Sequence, residues 1–100
     1  MKEIPTKELR AFVKSAKVMR NMRLLRTVCG PIRFKVIALL KKHPEGLSVS
    51  QLAEILDSSL SKISHQLRPL REAKLIAVKH KNREVIYALA NHRIEKLLSF

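Results

Sequence analysis

The sequence is poor in acidic residues, in cysteine and in long apolar runs. Its 100 residues include 8 Asp and Glu against 21 Lys and Arg, which leaves a net charge of +13. An excess of this size indicates an anionic partner, and nucleic acid and an anionic membrane are the leading candidates. The longest aliphatic run, residues 36–40, has five residues and is too short to span a bilayer. We therefore favour nucleic acid and expect no membrane partner.

Other absences exclude further classes of protein. The single cysteine, Cys29, allows no internal disulfide, and the first residues, MKEIPTKELR, lack an apolar signal segment. The sequence has no Gly-rich phosphate loop, no paired carboxylates and no Cys/His/Asp arrangement, so we expect neither an enzyme nor a cofactor. These absences predict a cytoplasmic, nucleoid-associated protein.

The N-terminal segment 6–28 predicts one long helix with apolar residues on two sides. A short domain covers only one side of a terminal helix, so the second side predicts a partner, most simply another copy of the chain. The alternative is a frayed basic helix with scattered apolar residues. The dimer contacts predicted in segment 1–28 are Leu9, Phe12, Val13, Ala16, Met19, Met22 and Leu25.

Three shorter helices are predicted next. The first covers 31–42, and its inward residues are Phe34, Val36, Ile37 and Leu40. Ser48 and Gln51 match a capping box at the start of the second. Ser59 is the predicted N-cap of the third, after a turn of three or four residues. This spacing is typical of a helix-turn-helix.

The C-terminal part changes character. Segments 75–81 and 84–89 are rich in β-branched residues, and Asn82 between them tolerates left-handed backbone angles, so a β-hairpin is predicted. A last helix is predicted over 91–100, with Ile94, Leu97 and Leu98 on one side as further dimer contacts. The fold class is therefore mainly α with a small β-hairpin (α+β), a winged helix-turn-helix. We expect one domain, 1–100, with its DNA-binding part at 31–90.

The helix predicted over 58–73 has an unusual polar face. Its core stripe is Leu60, Ile63, Leu67 and Leu70. The opposite face carries Ser61, Ser64, His65 and Arg68, with Lys62 beside it. Short hydroxyls let a helix approach base edges in the major groove, and long acidic side chains would be repelled there. The alternative is a polar face turned to solvent, but the preceding capped helix and the basic hairpin favour DNA.

The pattern SxxSHQLxxLxxAxL, from Ser61 to Leu75, resembles the ArsR/SmtB family of winged helix-turn-helix repressors. The resemblance extends over about three quarters of the chain. It implies a homodimer, held by the first and last helices, with two recognition helices in successive major grooves of an inverted repeat. Two departures are Lys74, where the family usually has Gly, and Asn82 with Arg83 in place of the usual Gly in the wing.

The resemblance also assigns DNA contacts. The groove contacts expected on this basis are Ser61, Ser64 and His65, with Ser59 at the start of the helix. The expected phosphate contacts are Lys62, Arg68, Lys79, Lys81 and Arg83.

The residues at the family's usual metal positions predict that no metal is bound. Where many members of the family have a Cys-x-Cys pair, this chain has Ser48 and Ser50, and a hydroxyl does not replace a thiolate. Where others have Asp-x-His, it has Asn91 and Arg93, and it ends at Phe100, before a second ligand pair. We therefore expect a sequence-specific repressor without the family's metal sites.

Alternatives to this reading remain open. The net charge alone would suit a non-specific, architectural nucleic-acid-binding protein. A further alternative is a winged helix whose basic face binds an acidic protein, although the hydroxyl-and-imidazole face argues against this. Cys29 is either a small buried residue at a helix junction or a thiol switch that pairs with the other protomer.

Overall fold

The computed structural model describes residues 3–98, and the predicted winged helix-turn-helix order is confirmed within them. The elements are α1 Thr6–Val13, α2 Ala16–Thr27, α3 Pro31–Lys42, α4 Val49–Ile55, α5 Leu60–Glu72, β1 Ile76–Lys81, β2 Glu84–Leu89 and α6 His92–Leu97. The predicted helix over 91–100 reaches residues 99 and 100, which lie outside the described residues. None of the helices in this range is both long and apolar enough to cross a membrane.

The prediction of one long N-terminal helix is wrong, because the chain breaks between α1 and α2. Ser15 takes an extended conformation and its hydroxyl accepts a hydrogen bond from the Val18 backbone N–H at 3.4 Å, which caps α2. Serine favours this role over a helix interior, since its side chain satisfies a free N–H at the helix start. The predicted apolar stripe is therefore divided between two helices, and Leu9, Phe12 and Val13 on α1 are exposed.

The core lies where α3, α4 and α5 meet the hairpin. Its fully buried large side chains are Val36, Ile37, Leu40, Leu52, Ile63, Leu67, Leu70, Leu75 and Ile94. Burying each such aliphatic side chain contributes about 1.5–3 kcal/mol relative to leaving it in water. Three of these side chains, Ile63, Leu67 and Leu70, belong to α5 and seat it against the body of the domain.

Three predicted positions need correction. Phe34 is 40% exposed, because it lies about 110° around α3 from the centre of the buried stripe. Leu60 is 56% exposed, since it is the first residue of α5 and precedes the core layer at Ile63. Ile94, predicted as a dimer contact, is completely buried in its own chain, so it offers no surface to a partner.

The hairpin is closed by a tight two-residue turn. The antiparallel register pairs Ile76 with Leu89 and Lys81 with Glu84. Asn82 and Arg83 take φ values of 50° and 68°, and positive φ at both central residues matches the twist of paired strands. The departure from glycine in the wing is therefore tolerated by this turn.

A third segment joins the hairpin through Leu47, which pairs with Tyr87 by two backbone hydrogen bonds of 2.9 and 2.8 Å. The preceding Gly46 has φ 97°. A side chain at Gly46 would meet Ile86 and would come within 2.7 Å of the Tyr87 carbonyl oxygen. Glycine is therefore required for the loop to reach the strand.

The end of α5 carries a strained residue. Lys74 has φ 61°, its N–H donates to the Arg71 carbonyl at 2.9 Å, and the Leu75 N–H donates to the Leu70 carbonyl at 3.0 Å. These two bonds form a Schellman motif, whose left-handed residue is usually glycine.

We expect Lys74→Gly to stabilise the protein. Removing the left-handed strain outweighs the entropic cost of glycine by about 1 kcal/mol, which should raise Tm by roughly 4–8 °C. Lys74→Ala is the matched control, because it removes the same charge but keeps the strain. Equal Tm values for the two variants, measured by thermal unfolding, would contradict this account.

Candidate nucleic-acid interface

The start of α5 is fixed by its cap. The Ser59 hydroxyl accepts a hydrogen bond from the Lys62 N–H at 3.1 Å, as the sequence predicts. The Ser58 N–H donates to the Ala53 carbonyl at 2.9 Å, which closes the turn between α4 and α5. Ser59 therefore uses one lone pair of its hydroxyl within the chain, and its O–H remains able to donate outward.

The predicted reading face is exposed and unsatisfied. Ser61, Ser64 and His65 are all exposed, and their side chains make no hydrogen bond to any residue in the range 3–98. Polar side chains that are free in this way can exchange water for a partner without breaking a bond in the protein.

These side chains line one groove beside α5. We call it the α5 groove; it has a volume of about 690 Å³. It is lined by Ser59, Ser61, Lys62, Ser64, His65, Leu67, Arg68, Arg71 and Tyr87. Six of the nine predicted DNA contacts meet here. The three hairpin residues Lys79, Lys81 and Arg83 do not line this groove.

Two residues that line the α5 groove, Arg71 and Tyr87, were not predicted from the sequence. Arg71 follows Ser64 by seven residues, or two helical turns, so the periodicity that selects Ser64 also selects Arg71. Tyr87 lies on β2, opposite Val78. Only the packing of the hairpin against α5 brings it to the groove, and no local pattern in the sequence signals this.

Arg68 and Arg71 differ in their surroundings. The Arg68 Nε lies 3.6 Å from Glu72 Oε1, and both side chains are more than 70% exposed. Such a pair adds little stability, but it partly neutralises Arg68. Arg71 has no ion pair with a carboxylate of the described chain, so it offers the groove its full charge.

The hairpin cations are exposed but divided between environments. Lys79 pairs with Ile86 across the strands, and Lys81 faces Glu84. Lys81 also lines a separate hollow with Glu45 and Glu84, so two carboxylates share its surroundings. Of the hairpin cations predicted to contact phosphate, Lys81 is therefore the one placed beside two carboxylates, those of Glu45 and Glu84.

A polar link holds α5 from behind the groove. The Arg33 Nε donates to Gln66 Oε1 at 2.9 Å, and its Nη1 donates to the Thr27 carbonyl at 3.4 Å. Both side chains are half-buried. The guanidinium thus connects the last turn of α2 to α5, one residue away from His65.

Cys29 is exposed with a free thiol, so the interpretation as a buried junction residue is wrong. It lies in an apolar hollow of about 460 Å³. The lining residues are Leu25, Val28, Cys29, Gly30, Pro31, Phe34, Lys35 and Leu98. Two predicted dimer contacts, Leu25 and Leu98, therefore meet beside the misassigned Phe34.

The residues at the implied metal positions have structural roles. Ser48 forms a complete capping box with Gln51, with hydrogen bonds of 2.9 and 3.1 Å. The Asn91 Oδ1 accepts from the Arg93 N–H at 2.8 Å and caps α6. Within residues 3–98, no three His, Cys, Asp or Glu side chains cluster as a metal site requires.

Comparison with known proteins places these elements in context. Residues 31–79 match a family model described as a helix-turn-helix domain. The chain is 32% identical over 74 residues to the HTH-type transcriptional regulator NmtR of Mycobacterium tuberculosis, across 74% of this chain and 60% of NmtR. It is 31% identical over 75 residues to the transcriptional repressor PagR of Bacillus anthracis, across 75% of this chain and 74% of PagR. The chain thus spans less than two thirds of NmtR.

Solved structures agree in fold. The crystal structure of PagR superposes with a TM-score of 0.71 at 28% identity, covering 81% of this chain and 91% of PagR. HlyU from Vibrio cholerae N16961 gives a TM-score of 0.75 at 23% identity, covering 83% of this chain and 88% of HlyU. The likeness to HlyU concerns the fold alone.

We expect Arg33→Met to lower the free energy of unfolding by about 1–2 kcal/mol, because it leaves the Thr27 carbonyl and the Gln66 amide without their donor. Arg33→Lys should fall between this variant and wild type, since an ammonium lacks the planar fork that reaches both acceptors. Urea unfolding measures the effect, with Lys35→Met on the same helix as the control for lost charge. Equal losses in Arg33→Met and Lys35→Met would show that the link contributes nothing.

Proposed function

The chain belongs to the ArsR/SmtB family of winged helix-turn-helix transcriptional regulators, and on this premise we propose that it is a sequence-specific repressor. It acts in the cytoplasm, on the nucleoid, and binds an inverted repeat in double-stranded DNA as a homodimer. It does so without the metal sites common in the family. The observation that carries the proposal is the α5 groove, where the side chains of Ser61, Ser64 and His65 are exposed and form no hydrogen bond within the described residues.

Base reading by this groove follows from the size and chemistry of its side chains. The hydroxyls of Ser61 and Ser64 both donate and accept, and they are short enough to let the helix enter the major groove. His65 can donate to a guanine acceptor or to a phosphate. Lys62, Arg68 and Arg71 border the same groove and supply phosphate contacts, which fix the register of the helix on the duplex.

The exposed apolar residues support dimerisation. Phe12 is 60% exposed, Val13 is 53% exposed and Leu25 is 43% exposed, and packing against a second copy of the chain would remove these apolar side chains from water. Met22 and Leu97 are exposed as well. A two-fold dimer presents two copies of α5, so its operator is an inverted repeat.

The capping roles of Ser48 and Asn91 support metal independence. The side-chain oxygen of each residue accepts a hydrogen bond from a backbone N–H group. Both residues stand at positions where many members of the family have metal ligands. The name of PagR, a transcriptional repressor, supports repression as the outcome of DNA binding.

An architectural role is the second candidate, and the net charge of +13 favours it. The two functions differ in the ratio of specific to non-specific affinity, because charge alone already gives strong binding to any duplex at low salt.

Selection from random duplexes at about 0.15 M salt tests the proposal. We expect an enriched inverted repeat for wild type. Ser64→Ala/His65→Ala should reduce the specificity ratio roughly a hundredfold, since each lost base contact costs about 1–3 kcal/mol.

The matched control is His43→Ala/Ser50→Ala, which changes the same residue types at exposed positions outside the α5 groove. Its specificity should stay at the wild-type level. Failure of wild type to enrich any sequence, together with a steep salt dependence shared by all three proteins, would establish the architectural role instead.

Arg71 gives a separate prediction. Arg71→Ala should weaken binding to all duplexes alike and reduce the slope of log K against log [salt] by about 0.9, the value for one lost phosphate contact. Arg68→Ala should have the smaller effect because Glu72 already shares the charge of Arg68. Titrations at several salt concentrations measure both slopes, and an unchanged slope for Arg71→Ala would remove it from the interface.

A further inference from the structure

The helix α2 has two unlike faces. Leu24 packs against the core, and Lys17 and Arg20 fall within about 40° of its direction on the helix. The apolar residues Met22 and Leu25 fall between about 100° and 160° away, on the opposite side. Lys17 and Arg20, although exposed, therefore lie on the side of α2 that faces the body of the domain, and Met22 and Leu25 lie on the other side.

Lys17 and Arg20 lie beside further cations. Two adjoining hollows of about 280 and 290 Å³ lie between α2 and α6, and both are lined by Arg20 and Arg93. We call them together the α2–α6 hollow. Its full lining is Lys17, Arg20, Asn21, Arg23, Leu24, Thr27, Ala73, Asn91, Arg93, Lys96 and Leu97.

This set holds five cations from two helices and no carboxylate. None of the five forms an ion pair with an acidic residue in the range 3–98. Glu95, on α6 between Arg93 and Lys96, is oriented to His92 instead, at 3.2 Å. Like charges collected between two helices weaken the packing of those helices unless an anion joins them.

We propose that the α2–α6 hollow binds a phosphate group. Its size fits a single phosphate group or a short polyphosphate. Arg20 and Arg93 each present a planar fork that suits phosphate oxygens. The side-chain oxygen of Asn91 already accepts a hydrogen bond from the Arg93 backbone N–H. The side-chain NH₂ of Asn91 therefore remains as a neutral donor beside the two guanidinium groups.

Thr27 does not serve as a donor here, because its hydroxyl already donates to the Arg23 carbonyl at 2.9 Å. The phosphate comes either from a free phosphorylated anion or from the backbone of bound DNA. Both present the same chemistry, and the site is separate from the α5 groove, so it does not depend on base reading.

The first arm of the test uses DNA-free protein and sodium pyrophosphate at constant ionic strength. Wild-type Tm should rise by roughly 5–10 °C at a tenfold excess over the dissociation constant. Arg20→Gln/Arg93→Gln should not respond. In chloride alone, this variant should melt at or above the wild-type Tm, because the repulsion has been removed.

The control for the first arm is Lys7→Gln/Arg10→Gln on α1, which removes two positive charges from exposed positions outside the hollow. It should respond to pyrophosphate as wild type does. An equal rise in all three proteins would mean unspecific screening and would overturn a site for a free anion.

The second arm uses duplexes of random sequence. If DNA supplies the phosphate, Arg20→Gln/Arg93→Gln should lower the salt slope by about 0.9 for each lost contact, with no such drop in the control. The site is overturned when pyrophosphate does not distinguish the proteins and the two variants also have equal slopes. Failure of the repressor proposal appears elsewhere, as the absence of an enriched sequence for wild type.

Discussion

The rotation of α5 about its own axis is the constraint on which the rest of the structure depends. Ile63, Leu67 and Leu70 are buried on one side, which directs Ser61, Ser64 and His65 outward. A rotation by one residue, about 100°, would bring either Ser64 or Lys62 into the place of Ile63 in the core. Buried area opposes this rotation, and the Arg33–Gln66 hydrogen bond opposes the smaller rotations that apolar packing tolerates.

Charge is the second constraint, and it acts against the fold. A chain with a net charge of +13 and a small core has little stability to spare. The cations are not spread evenly, since they collect beside α5, on the hairpin and between α2 and α6. Repulsion within each of these groups of cations lowers the stability of the free protein. Binding of an anion to a group reduces this repulsion and raises the stability. Stability and binding are therefore linked, and the protein should be most stable when its partners are bound.

The sequence predicted most of the elements because short-range rules decide them. Capping serines, β-branched segments and the periodicity of α5 all act over a few residues, and these predictions were confirmed. The failures have another origin. The break at Ser15 is a competition between one cap and a continuing helix, and periodicity does not weigh the two. Leu60, Phe34 and Ile94 depend on where the core ends, which is a property of packing.

The residues of the candidate site also fall into those that the sequence could identify and those that only the packing reveals. The α5 residues of the groove repeat with the helix, so the sequence could identify them, and Arg71 could have been added by the same rule. Tyr87 could not be found, because it reaches the groove only through the docking of β2. The α2–α6 hollow was equally hidden, since it needs the azimuth of Arg20 on one helix and that of Arg93 on another, seventy-three residues apart.

The caps at Ser48 and Asn91 explain why helix starts and metal coordination compete in this chain. The helix α4 has seven residues and α6 has six, so neither is stable without tertiary contacts and caps. A thiolate at Ser48 would end the capping box and cost about 0.5–2 kcal/mol.

Because the side chains of Ser48 and Asn91 cap helices, a change elsewhere in the domain reaches α5 through the residues that pack against it. The helix α3 packs against α5 and β2, and its side chains form hydrogen bonds with further elements. Arg33 joins it to α2 and α5, and the Lys41 ammonium donates to the Leu98 carbonyl at 3.0 Å. Hydrogen bonds therefore link α3 to the end of α2, to the residue that follows α6 and to α5.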